Sequence, residues 1–365
     1  MTKAAELAKM GEVLTNSQIG SRRNIAYNGA MQISQRGISA TGQGASDLFL
    51  LDRFHLNTNG NSAGRYTVTQ TADGPSGFAN CMKLDCTTAD TTIGSAERFF
   101  IEQRLEGQDL QQIKKGTSDA EQITVSFYVK GNASATYVLG LYESDNSRAV
   151  GSQFSVTTSW TRVVVTFPAD TTGALDDDNA ESLSLRWYLH AGSNYTSGTL
   201  ATTWASASAS TQVGSGTTSF FDSTDRTFFI TGVQMEVGSQ ATPFEHRSFG
   251  EELALCQRYF TKYTGVTAIK TFPHTAPLQS WNDNNASNGM LSTTVTMRAS
   301  PTITQSGLRL RSPVYGDFDG TFAFESITVD GCHVANGSNS GLNTGRIYYI
   351  SSTNTSSYIQ LDSEL

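Results

Sequence analysis

Short runs of alternating apolar and polar residues, broken by Gly, Pro, Asn and Ser, occupy much of this chain. Leu183–His190 is the clearest. Leu183, Leu185, Trp187 and Leu189 fall on one side and Ser184, Arg186, Tyr188 and His190 on the other, as a strand with one face in a core requires. Ile123–Lys130 puts Ile123, Val125, Phe127 and Val129 inward and Tyr128 and Lys130 outward. Thr136–Ser144 sets Tyr137, Leu139 and Leu141 against Tyr142. Further strands are predicted at Asp47–Asn57, Arg65–Thr71, Asn80–Thr87, Glu97–Leu105, Phe154–Val156 and Trp160–Phe167. The last of this block is Thr227–Val237, with Phe229, Val233, Met235 and Val237 on one side. About ten strands at this spacing predict a jelly-roll-like β-sandwich over residues 20–247. Between Ala191 and Thr218 runs a Ser/Thr/Ala/Gly loop holding Tyr195 and Trp204. It is longer than compact domains usually allow, so it reads as disordered or as a binding loop.

The period then changes. Gly238 and Pro243 end the strand, and Ser248 with Glu251 has the Ser-x-x-Glu spacing of a helix-opening capping box. Phe249, Leu253, Cys256 and Phe260 recur at helical spacing, which predicts a connecting helix over 248–263 that stops near Gly265. A second, smaller β-sandwich follows over 264–365. Its strands are expected at Thr267–Phe272, Leu291–Met297, Thr302–Gln305, Leu308–Arg311, Thr321–Val329, Arg346–Ser351 and Tyr358–Leu361, with turn signals between them. Thr2–Leu14 reads as a short helix within a segment 1–19. It is too short to be stable alone and reads as a frayed terminus or as an anchor that docks or bundles with copies of itself.

Composition agrees with a mainly β chain. Charged residues make up only 16%, while 33 Gly and 32 Phe and Tyr (19 + 13) suit short strands joined by polar turns. The formal charge of −8 and the lack of a basic run argue against nucleic acid as a partner. Membrane insertion is not expected, because no stretch reaches about 18 apolar residues. Glu6 and Lys9 interrupt what would have to be the apolar core of a signal peptide. Cys81, Cys86, Cys256 and Cys332 lack zinc-site spacing and read as buried free thiols.

No motif for catalysis stands out, and no cofactor or metal is expected. A Ser–His–acid set is conceivable in so serine-rich a chain, but nothing singles one out. Glu236 and Glu245 are the carboxylates to weigh for glycan cleavage. Glu236 reads instead as solvent-facing or paired with Arg247 or Arg258. Asp176, Asp177, Asp178, Asn179 and Glu181 form an acidic run, read as a solvated turn, with calcium as the alternative. The candidate binding residues are the outward ones: Tyr128, Lys130, Tyr142, Arg186, Tyr188 and His190, with Tyr195 and Trp204 in the long loop. If their strands share a sheet, rings and long donors stand together, as sugar recognition needs. Subunit contact is the competing reading of the same face. Trp281 beside the Asn-rich turn is open to both.

The run GVQMEVGSQATPFEHRSFGEELALCQRYF resembles a recurring segment of tail-fibre and other appendage proteins of tailed bacteriophages. So does NGAMQISQRG at Asn28–Gly37, followed by Asp52-Arg53-Phe54. The order SFYVKG, a W-x-R strand and ITGVQMEVG is similar in pattern to non-catalytic carbohydrate-binding modules of the β-sandwich type. The resemblance implies a structural virion protein, assembled in the host cytoplasm without a signal peptide. It implies a tail fibre, homotrimeric, joined to tail or capsid proteins through its N-terminal helix and attaching to host surface glycan or protein. A capsid decoration or head fibre is the alternative, and a polysaccharide-degrading tailspike enzyme the third reading.

Overall fold

A computed structural model describes residues 23–265, 272 and 274–365, together with Lys3. The expected helix Thr2–Leu14, Lys3 aside, and the strand Thr267–Phe272, Phe272 aside, lie outside the described residues. The chain divides into two compact units, Met1–Phe249 with Leu365, and Gly250–Glu364.

The first unit is a β-sandwich of antiparallel strands. These are β1 (Ser39–Gln43), β2 (Leu48–Phe49), β3 (His55–Asn59), β4 (Arg65–Thr71), β5 (Cys81–Thr88), β6 (Arg98–Glu106), β7 (Ile123–Gly131), β8 (Ala135–Glu143), β9 (Arg148–Val156), β10 (Thr161–Phe167), β11 (Glu181–Ala191), β12 (Ala205–Ser206) and β13 (Thr227–Val237). One sheet runs β1-β4-β5-β13-β7-β10 and the other β12-β9-β8-β11-β6-β3-β2. Strands far apart in sequence lie side by side, as in jelly-roll-like sandwiches. The core forms where inward residues of the two sheets meet. Phe127 of β7 touches Phe154 of β9 and Trp187 of β11 edge-on, at centroid distances of 5.2 and 5.7 Å. Tyr66 of β4 lies 4.7 Å from Phe99 of β6, and Tyr137 of β8 lies 5.6 Å from Phe228 of β13. All these rings are buried, each worth about 1.5–3 kcal/mol of transfer free energy.

Strand β13 does not keep a single alternation. Its pairing with β7 shifts between Thr231 and Gln234. Before the shift Phe228 faces the core, while Phe229 packs outside, against Lys83, Lys130 and Trp160. Phe229 is therefore not on the face of Met235 and Val237, which pair with the inward Val125 and Ile123. A β-bulge inserts one residue and reverses the alternation. Gly232 sits in it at φ +64, and a Cβ there would stand 2.8 Å from the rings of Phe78 and Tyr128.

The Asn28–Gly37 run and the run that starts at Gly232 are neighbours in the fold. Asn24 accepts from the backbone N–H groups of Ala26 and Met235 at 3.0 Å and donates to Val233 O at 3.1 Å. Gly29 O accepts from Val233 N at 2.9 Å. A Cβ on Gly29 would come within 2.0 Å of Val233 O, so only glycine fits. Asn28 then folds its amide onto Ile33 and Asp52 O. Buried backbone groups need partners, and these side chains supply them where the sheet ladder has stopped.

In the second unit α2 (Phe249–Gln257) replaces the helix expected over 248–263; α1 is the single turn Ser193–Thr196 of the first unit. Phe260 leaves the helical stripe and opens β14 (Phe260–Thr264). The remaining strands are β15 (Leu278–Ser280), β16 (Ala286–Ser292), β17 (Thr302–Ser306), β18 (Leu308–Ser312), β19 (Gly316–Phe318), β20 (Thr321–Thr328), β21 (Gly331–Gly337), β22 (Ile347–Ser352) and β23 (Tyr358–Asp362). They form sheets β14-β23-β17 and β19-β18-β22-β15-β16-β21-β20 around one core that includes Tyr263, Leu291, Leu310, Tyr348 and Leu361. None of the four cysteines is in a disulfide, and all four are buried. Burial pushes the thiols of Cys81, Cys86 and Cys332 up to about 11.

Candidate functional site

The seven-stranded sheet of the first unit carries three rows of side chains across its outer face. In the middle row Gly151 of β9, Gly140 of β8, Arg186 of β11, Glu102 of β6 and His55 of β3 are register neighbours. One flanking row is Ala149, Tyr142, Ser184 and Arg104. The other is Gln153, Val138, Tyr188, Phe100 and Asn57. The long loop, far from loose, is fastened over this third row. Phe100, Val138, Tyr188 and Val213 form a small buried cluster, with Tyr195 and Leu200 packed against it. Backbone bonds tie the loop to the strands, Gly151 N to Ala201 O at 2.7 Å and Thr218 N to Thr136 O at 2.8 Å. Tyr142, Ala149, Arg104 and Arg186 stay half-buried. Beside them Gly140 and Gly151 leave a dent rimmed by Tyr142, Tyr188, Thr211 and Gln212, with a cavity volume of about 10 Å³. That holds no more than one water, so the feature is a shallow platform.

A fixed charge network lies under the platform. Arg186 Nε donates to Glu102 Oε1 at 2.6 Å, and Arg104 Nε donates to Oε2 at 2.9 Å. His55 Nδ1 is 3.3 Å from the same Oε2, and Asp47 lies 3.3 Å beyond its Nε2. Glu181 stands 3.3 Å from Arg104. The Arg186 guanidinium lies 4.1 Å from the centroid of Tyr142, and Arg98 lies 5.0 Å from that of Tyr195. Burial alone would raise the Glu102 pKa. The His55 hydrogen bond and the two arginine charges outweigh it and hold the carboxyl at about 2. Glu181 moves the other way: burial and the Glu102 charge raise it against the pull of the arginines.

The expected binding residues do not all share this face. Tyr142, Arg186, Tyr188 and Tyr195 do. Tyr128 and Lys130 belong to β7, in the other sheet, where Tyr128 packs on Phe78 at 5.3 Å and Lys130 pairs with Asp73 at 2.7 Å. Periodicity reports which way a side chain points, not which sheet its strand joins. Tyr188 is buried under the loop rather than presented, and His190 is not on this face: the pairing of β11 with β6 shifts between Tyr188 and His190, which sets His190 opposite the inward Phe99. Trp204 is half-buried, its Nε1 donating to Pro168 O at 2.9 Å and its ring 5.2 Å from Lys115 Nζ. Sequence reasoning missed Glu102, Arg104, His55 and Gln212. Each outward position on β6 was open to reading from the Phe99–Leu105 alternation.

Other candidate chemistry is engaged structurally. Glu236 is buried, not solvent-facing. Its Oε1 accepts from Thr242 N at 2.8 Å and its Oε2 from Thr242 Oγ1 at 2.7 Å. Glu245 accepts from the backbone N–H groups of Arg23 and Asn24. A Ser–His–acid relay does exist: His190 Nδ1 is 2.8 Å from Ser219 Oγ, and Nε2 is 3.2 Å from Glu97 Oε2. Ser219 Oγ also accepts from Phe221 N at 3.0 Å, and the Phe221 ring lies 5.2 Å from the imidazole. Burial lowers the His190 pKa against the pull of Glu97. Asp176, Asp177 and Asp178 are exposed. Among the described residues no group of three or more His, Cys, Asp and Glu is placed to hold a metal. A polar cavity of about 230 Å³ lies between Gly44, Asn59, Asn61 and Arg65, with no ring lining it.

No family model matches this chain, and no curated protein matches it. Solved structures do. The bacteriophage CBA120 tailspike protein 4 enzymatically active domain is similar at 12% identity and a TM-score of 0.30. The match covers 59% of this chain and only 21% of that one. A CBM4 module is similar at 12% identity and TM-score 0.29, covering 57% of this chain and 97% of that one. The family 11 carbohydrate-binding module from Clostridium thermocellum, in complex with a β-1,3-1,4-mixed-linked tetrasaccharide, is similar at 10% identity and TM-score 0.29, covering 56% and 99%. Likeness at this level does not extend to function.

Proposed function

We propose that this protein is a non-catalytic glycan-binding subunit of a tailed-phage virion appendage, a tail fibre that attaches the particle to its host. The observation that carries the glycan reading is the Tyr142–Arg186–Glu102–Arg104 platform. A half-buried ring offers an apolar surface for the C–H face of a sugar, and the half-buried guanidinium groups beside it suit hydroxyls, while the buried Glu102 carboxylate anchors them from beneath. The salt-bridge network holds these groups in place before a ligand arrives, so little rotamer freedom is lost on binding. The resemblance of the Asn28–Gly37 and Gly232–Phe260 runs to phage appendage proteins supports the virion reading. The bonds held by Glu236, Glu245 and Ser219 Oγ support the non-catalytic one.

The test is a screen of host surface polysaccharides by calorimetry. Tyr142→Ala is expected to weaken the glycan that binds by about tenfold, roughly 1.4 kcal/mol, with the melting temperature little changed. Unaltered affinity in that variant removes the platform from the reading. Release of reducing ends from the same glycan, lost in Glu236→Gln or Glu245→Gln, defeats the non-catalytic reading. Labelled particles seen by electron microscopy decide between tail and capsid.

A further inference from the structure

At one end of the first sandwich a single ammonium group sits in an oxygen cage. Lys115 follows two short turns, Gly107–Asp109 and Gln111–Ile113, and its side chain is 2% exposed. Its Nζ lies 3.2 Å from Glu143 Oε2 and 3.1 Å from Asp170 Oδ2. It is also 2.9 Å from the carbonyl oxygen of Thr172 and 2.8 Å from that of Gly173. An ammonium has three protons, so at least one of these four oxygens is held by charge without a hydrogen bond of its own. Carboxylate and carbonyl oxygens from the end of β8 and from the loop after β10 make the donor set of a hard divalent cation.

The cage is built independently of the lysine. Asp170 receives Arg148 Nε at 2.7 Å and its terminal nitrogen at 3.0 Å, and it accepts from Thr172 N at 3.1 Å. Glu143 Oε1 accepts from Asn146 N at 2.6 Å. Gly173 holds φ +73, and a Cβ there would stand 2.8 Å from the Asn146 side chain. Two carboxylates face two cations, Lys115 and Arg148. Removal of one cation leaves a buried net negative charge with oxygens already converged.

We infer that Lys115 is a built-in cation occupying a calcium-type site, so that the native chain is metal-independent here and a chain lacking this ammonium takes up calcium. Lys115→Ala opens the cage to a calcium ion and the waters that complete its coordination. Lys115→Met fills the space with an apolar stem and keeps calcium out. Trp204, whose ring centroid is 5.2 Å from the Nζ position, serves as an antenna for terbium, a calcium surrogate.

The experiment compares wild type, Lys115→Ala and Lys115→Met. Wild type is expected to show no tryptophan-sensitised terbium emission and no change of melting temperature with EDTA or calcium chloride. Lys115→Ala is expected to show terbium emission that calcium quenches, and a melting temperature raised by several degrees with calcium but not with magnesium. Lys115→Met is expected to respond to neither. If Lys115→Ala is unfolded without metal, it is expected to refold on addition of calcium. A Lys115→Ala chain indifferent to calcium, folded or unfolded, overturns the inference, and so does an equal response in Lys115→Met.

Discussion

Glu102 is the residue on which the platform turns, because one buried carboxylate serves three cations or cation partners. Its carboxyl is held at about 2 from an ordinary 4.5, a displacement worth on the order of 3 kcal/mol. The sign follows from which state binds protons. Between about 4.5 and 2 the unfolded chain takes a proton on this residue and the folded chain does not, so stability falls as pH falls through that window. Glu181 acts oppositely. Its raised pKa means that it protonates first on acidification, which relieves its repulsion with Glu102 before the main loss begins. Denaturant titrations across pH 2–7 are expected to show a steep loss below about 4.5 in wild type. Glu102→Gln is expected to be less stable by about 3–5 kcal/mol at neutral pH, with two arginines left to share Glu181, and to have a flatter acid limb. An acid limb as steep as wild type in that variant assigns the effect to another carboxylate.

At the scale of elements, two glycines on adjacent strands decide how closely the long loop can lie on the sheet. A Cβ on Gly151 would stand 2.8 Å from Leu200 Cδ1, and one on Gly140 would stand 3.1 Å from Tyr188 Cε2. Gly151→Val is therefore expected to cost about 1–3 kcal/mol by overpacking and to lift residues 200–213 from the sheet. Hydrogen exchange there should accelerate while β6 and β11 stay protected. Uniform exchange changes would show that the loop is not a separate layer. The alternation of Leu183–Leu189 and Ile123–Val129 was legible because both strands have one face in the core. Ser39–Gln43 was not, since an edge strand reading SATGQ carries no apolar residue besides Ala40 and so no alternation. Phe260 kept helical spacing yet pairs with Asp362, a partner 102 residues away that local spacing cannot report. For the same reason Tyr142 and Arg186 are legible as outward residues, whereas the meeting of Arg186 with Glu102, 84 positions before it, is not.

At the scale of the whole molecule, a platform whose dent is about 10 Å³ buries little of any one sugar, so a single face holds its ligand weakly. Firm attachment through such faces has to come from copies presented together, which raises avidity by 10²–10⁴ without a new contact. The fibre reading assigns that presentation to trimerisation and to the segment Thr2–Leu14. Deletion of residues 2–14 is then expected to leave the per-site affinity, measured by calorimetry with short oligosaccharide, unchanged. Binding to a glycan-coated surface should fall by at least a hundredfold, and the truncated chain should no longer join particles in a complementation assay. Each readout isolates one step of the fibre reading, in which the sandwich binds, the N-terminal segment gathers copies, and the particle receives them. A truncated chain that enters particles normally takes the anchor away from residues 2–14, and one that keeps full avidity on the coated surface places the gathering of copies in the β-units instead.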